Sequence, residues 1–77
     1  SFTVFPNPAQ DALEIVVNSP EIRTLQVFNT TGALVDEQPI TGVGPMRYGL
    51  TDLANGNYTF VLIGGQQRLV RTVSVKR

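Results

Sequence analysis

Apolar and polar residues alternate along several short segments of this 77-residue chain, and clusters of Gly, Pro and Asn separate these segments. An alternation with a period of two places every second side chain on the same face of an extended strand. Turn clusters that recur about every 8–12 residues are typical of an all-β sandwich. No stretch shows a sustained helical period. The pattern therefore predicts short strands, each with one buried face.

Seven strands are predicted, at residues 2–5, 12–18, 23–29, 33–38, 46–51, 57–63 and 67–76. We expect them to form a single domain over residues 1–77, folded as a seven-stranded antiparallel Ig-like β-sandwich with Greek-key connections. The apolar positions of these strands give the predicted core: Leu13, Ile15, Leu25, Val27, Val35, Leu53, Tyr58, Phe60 and Leu62.

The last two predicted strands differ from the rest. Residues 58–63 are apolar on both faces, which suits an interior strand or an exposed patch for a partner. Gly64 and Gly65 follow, and both are predicted to have positive φ in a tight hairpin. In the final strand Arg71 shares the inward parity of Val73, so either a bulge corrects the register or the strand lies at a sheet edge. We favour the edge.

The composition argues against an enzyme. The chain has no Cys and no His, which excludes thiolate and imidazole chemistry and the usual zinc sites. Its serines therefore lack a His to activate them. No two of the six carboxylates have a spacing that suggests a general acid and base: Asp11, Glu14, Glu21, Asp36, Glu37 and Asp52. Six basic and six acidic residues show no clustered positive charge of the kind that nucleic acids require.

Three turn motifs stand in order along the chain: Pro6-Asn7-Pro8-Ala9, Gly32-x-x-Val35 and Leu53-x-x-Gly56-x-Tyr58. The first predicts a rigid connection between the first two strands, because its prolines fix φ. Gly32 and Gly56 are predicted to hold positive φ in turns. Tyr58 is predicted to anchor a corner, with its ring buried and its hydroxyl hydrogen-bonded.

In this order, and followed by the basic residues Lys76 and Arg77, the motifs resemble the type A C-terminal sorting domains of the type IX (Por) secretion system of Bacteroidetes-type bacteria. The resemblance covers nearly the whole chain. The family commonly has Lys after the glycine of the middle motif, whereas Ala33 stands here.

The resemblance implies a non-catalytic sorting signal, needing no cofactor or metal, at the tail of a larger secreted or surface-anchored precursor. The implied partners are the type IX translocon, outer-membrane shuttle and sortase proteins, and an upstream cargo domain on the same chain, with no nucleic acid or small-molecule substrate. The implied route runs through the periplasm to the cell surface or medium, and a surface sortase then commonly removes the domain.

The final strand is the second candidate site. If it lies at an edge, its backbone can pair with another chain, and we expect Val73, Val75, Lys76 and Arg77 to form a docking strand.

Two alternatives remain at this point. One is an Ig-like or fibronectin-like spacer of a bacterial surface protein. The other is a carbohydrate-binding accessory module, which usually holds sugars on exposed aromatic rings. The chain has no Trp, and its other aromatic residues mostly alternate into core positions.

Overall fold

The computed structural model describes residues 2–5, by their backbone, and residues 11–18 and 20–76. The strands are β1 (Phe2–Phe5), β2 (Ala12–Val17), β3 (Thr24–Phe28), β4 (Leu34–Pro39), β5 (Gly44–Gly49), β6 (Gly56–Gly64) and β7 (Gln67–Val75). The prediction of seven strands is met in part. Six of them, β2 to β7, are described with their side chains, and β1 is described by its backbone alone. The described ranges contain no helix, and hence none long and apolar enough to span a membrane. The all-β prediction is confirmed.

The strands form two antiparallel sheets. One has the order β1-β2-β5 and the other the order β4-β3-β6-β7. Strand β6 thus lies between two neighbours, as its two apolar faces predict, and β7 lies at an edge. The β6–β7 register runs without a break from Gly56↔Val75 to Gly64↔Gln67, so no bulge reorients Arg71, which is exposed. The edge interpretation is confirmed.

The inward faces of both sheets contribute to one hydrophobic core. Phe60 of β6 is fully buried, and its ring meets the ring of Tyr48 of β5 edge-to-face, with centroids 5.3 Å apart. Burying such a side chain contributes about 1.5–3 kcal/mol. The predicted core is correct at Leu13, Ile15, Leu25, Val27, Tyr58, Phe60 and Leu62, and Leu53 is half-buried against it. The core also includes Val17, Ile22, Ile40, Tyr48, Leu50, Val73 and Val75.

The prediction that Val35 lies in the core is wrong. The β3–β4 register passes from Val27↔Asp36 to Phe28↔Leu34, so Val35 occupies a bulge. Its side chain is 41% exposed. A single apolar residue beside two carboxylates does not determine which face of an edge strand turns inward, and the pairing here turns Asp36 toward the core side.

The turn between β6 and β7 uses its glycines differently from the prediction. Gly65 has φ 54°, as expected, but Gly64 does not have positive φ. Instead Gly64 permits a close backbone approach, because a Cβ there would lie 1.8 Å from the carbonyl oxygen of Glu21 and 2.6 Å from the Cα of Ile22. The segment entering β3 therefore packs directly on the end of β6.

We predict that Gly64→Ala destabilises the domain, because the added methyl group meets backbone atoms that cannot rotate away. The free energy of unfolding should fall by about 1–3 kcal/mol or more. Chemical denaturation measures this change. Gly49→Ala is the matched control, since Gly49 also lies in a strand and a Cβ there meets nothing within 4 Å. Equal stability of the two variants would contradict the close approach.

Candidate functional site

The topology gathers the middle and third turn motifs at one end of the two sheets. Strands β1, β3, β5 and β7 finish at this end, and β2, β4 and β6 begin there. We call it the motif end and define it by residues 29–33, residues 50–55 and Lys76. The backbone N–H of Leu50 donates to the carbonyl of Asp11 at 2.8 Å, which ties β5 to the start of β2. The opposite end contains the start of β1, where Phe2 pairs with Val17.

The middle motif is a hairpin turn organised by Asn29. Its Oδ1 accepts hydrogen bonds from the Thr31 N–H at 3.0 Å, the Thr31 hydroxyl at 2.7 Å and the Ala33 N–H at 3.0 Å. Gly32 donates its N–H to the Asn29 carbonyl at 3.0 Å and has φ 86°. The predicted turn and the positive φ of Gly32 are therefore confirmed.

The third motif forms the predicted corner. Leu53 donates its N–H to the Leu50 carbonyl at 2.9 Å, closing a turn. The Tyr58 hydroxyl donates to the carbonyl of Ala54 at 2.7 Å while its ring is buried. Gly56 begins β6 with φ 153°, positive as predicted. Tyr58 thus fixes the course of the chain that precedes its own strand.

Val35 and Leu53, from different motifs, line the same surface hollow. This β4–β5 hollow has a volume of about 330 Å³ and lies between the two edge strands at the motif end. Its lining is Val35, Asp36, Gln38, Tyr48, Gly49, Asp52 and Leu53. The hollow therefore combines apolar side chains with two carboxylates.

A hydrogen-bond network holds Asp36 in this hollow. The hydroxyl of Tyr48 donates to its Oδ2, as does Nε2 of Gln38 at 3.0 Å, and the Glu37 N–H donates to Oδ1 at 2.9 Å. The bond from Tyr48 is the largest cause that lowers the pKa of Asp36 below 3.8, and partial burial opposes it. Burial raises the pKa of Tyr48, and the hydrogen bond to Asp36 and the charges of Asp36 and Asp52 raise it further.

The predicted docking strand divides between core and surface. Val73 and Val75 are 1% and 2% exposed and point into the core. Lys76 is exposed. Arg77 lies outside the described residues, as do Pro6, Asn7, Pro8 and Ala9 of the first motif. The use of this strand by a partner stays a prediction.

The comparison with protein families shows which family the chain belongs to. The model of the secretion system C-terminal sorting domain matches residues 3–76. The chain belongs to the type IX secretion C-terminal sorting domain family. No curated protein matches it. Membership supports a role as a C-terminal signal for type IX secretion, and such a signal implies export to the cell surface or medium.

Other parts of the site were not visible in the sequence. Asp36 and Tyr48 are twelve residues apart, in different sheets, and no motif joins them. The alternation of β5 indicated that the Tyr48 side chain points inward. The group that accepts the hydrogen bond of its hydroxyl depends on how the two sheets pack. Across residues 11–18 and 20–76, no cluster of three or more His, Cys, Asp or Glu residues is placed to hold a metal ion.

We predict that Tyr48→Phe raises the pKa of Asp36 toward 3.8, because the variant loses the main donor to the carboxylate. Carboxyl titration by NMR measures this directly. The lowered pKa means that the Asp36 contribution to stability is present above pH 3.8 and is lost as the pH falls through the folded-state pKa. The difference in the free energy of unfolding between the parent and Tyr48→Phe should therefore become smaller below pH 3.8. An unchanged pKa in the variant would contradict the assignment.

Proposed function

We propose that this sorting domain is a folded, non-catalytic docking platform that the type IX machinery recognises at the motif end. Family membership carries the proposal. Its geometric support is that the described turns of the middle and third motifs lie at one end of the sheets, together with Lys76. Chemistry in this scheme belongs to the partners, and the domain supplies shape and contact surface.

The platform is an Ig-like sandwich with Greek-key connections. The inward faces of the two sheets share one core, which supports face-to-face packing. The edge-to-face contact between Tyr48 and Phe60 joins the sheets directly. Such packing holds the turns at the motif end in fixed relative positions, which a recognition surface requires.

The cargo is an upstream domain joined ahead of β1. Strand β1 starts opposite Val17, at the end of the sheets away from the motif end. A cargo attached there leaves the motif end uncovered during passage from the periplasm through the outer membrane. The same junction is accessible to a surface sortase, which removes the domain after export.

The edge strand β7 provides the second contact. Edge strands accept an added strand through main-chain hydrogen bonds. Since Val73 and Val75 are buried in the core, their side chains stabilise β7 rather than meet a partner. The partner contacts are then the β7 backbone and the basic residues Lys76 and Arg77, whose charges steer the approach.

We predict that residues 1–77, fused to the C-terminus of a periplasmic reporter protein, send it to the cell surface or medium in a strain with a working type IX system. Cell fractionation and surface labelling measure the location. The same fusion in a strain that lacks the system should stay in the periplasm. A periplasmic reporter would count against the proposal if an established sorting domain exports it from the same arrangement.

We also predict that Lys76→Ala combined with Arg77→Ala reduces export of this fusion without unfolding the domain, because exposed charges steer association more than they stabilise the fold. The rate at which the reporter reaches the surface measures the effect. Arg23→Ala with Arg47→Ala is the matched control, because it removes two exposed positive charges that do not lie on or next to β7. Equal export by both double variants would refute the steering role.

A further inference from the structure

We propose that the β4–β5 hollow binds a lysine or arginine side chain that a protein of the export machinery carries on an apolar segment. The inference rests on the proposed function and assigns a partner chemistry to one part of the motif end. The hollow contains side chains from two motifs, Val35 and Leu53, which are separated by the whole of β5.

The first argument comes from the exposure of Val35. Core packing does not explain this residue, because the bulge turns it outward and leaves it 41% exposed. Leu53, which also lines the hollow, is only half-buried. Bulges often reorient a side chain next to a functional site. Exposed apolar side chains around a hollow offer a partner a surface to bury.

The second argument is charge complementarity. Asp36 is fixed by its three donors and has a lowered pKa, so it stays ionised. Asp36 and Asp52 both line the hollow, so the two carboxylates lie around one space. No Lys or Arg is among the described residues that line the hollow. A cation is therefore the complementary head group.

A basic side chain fits both features at once. The aliphatic stem of Lys or Arg packs along apolar surface while its charged head remains near polar groups. Here the stem would lie against Val35 and Leu53, and the head would reach Asp36 and Asp52. A hard metal ion suits the hollow less well, because such an ion requires six or more oxygen ligands.

The test uses the reporter fusion in cells with a working type IX system. A photo-reactive amino acid replaces Val35 in one fusion and Val70 in another. Val70 is the matched control, because it is 39% exposed but lies on β7, outside the hollow. Mass spectrometry then locates the cross-linked peptides. We expect the probe at position 35 to label a machinery protein beside a Lys or Arg, and the probe at position 70 not to label that peptide.

Charge variants make the test specific. Asp52→Asn should reduce the position-35 cross-link by up to about fivefold, because Asp52 is exposed and an exposed ion pair contributes at most about 1 kcal/mol. Asp52→Lys should abolish it, and changing the labelled partner's Lys or Arg to Asp should restore it. Asp11→Asn should have no effect, since Asp11 is also an exposed carboxylate but does not line the hollow. Thermal melts of each variant establish that folding is intact.

The outcomes separate this inference from the proposed function. If the parent fusion is not exported, the proposed function fails and this inference fails with it. If the parent fusion is exported but the Asp52 variants leave the position-35 cross-link unchanged, the proposed function stands and this inference is overturned. A position-35 cross-link to a second copy of the chain, or to a segment without a basic residue, overturns it as well. So does a cross-link that requires a divalent cation and disappears with a chelator.

Discussion

The contact between Tyr48 and Phe60 is the interaction on which the rest of this domain depends. A chain of 77 residues without Cys has no disulfide to hold two sheets together. The burial of their apolar faces must therefore hold the sheets together. Phe60 is fully buried at the centre of the four-stranded sheet, between Val27 and Arg71 in the register. Tyr48 brings the second sheet onto it. This packing fixes where the described turns of one sheet lie relative to those of the other.

Tyr48 also connects the core to the surface. Its ring lies in the core, while its hydroxyl reaches Asp36 on β4. The conformation of the β4–β5 hollow is therefore coupled to the packing of the two sheets. Side-chain networks of this kind restrict a site to one arrangement when every member has a partner. Among the described residues, no buried side-chain nitrogen or oxygen lacks a hydrogen bond.

Most of the fold was predictable because its signals are local. The alternation of apolar and polar residues predicted the bounds of each strand to within two residues. Gly32 and Tyr58 correctly indicated a hairpin turn and a corner. The failures came where a tertiary contact overrides the local pattern. The bulge at Val35 is set by the pairing of β4 with β3, and the role of Gly64 is set by the approach of Glu21. Neither contact leaves a trace in the neighbouring sequence.

The placement of the first and last strands has a mechanical consequence. Strand β1 begins at one end of the sheets and β7 finishes at the other. A tension applied ahead of Phe2, with the end of β7 held, acts along the axis of β1 and so along the β1–β2 interface. Antiparallel hydrogen bonds lie perpendicular to the strands, so this force loads them in shear. The pairs from Phe2↔Val17 to Phe5↔Glu14 then resist such a tension together instead of opening one at a time.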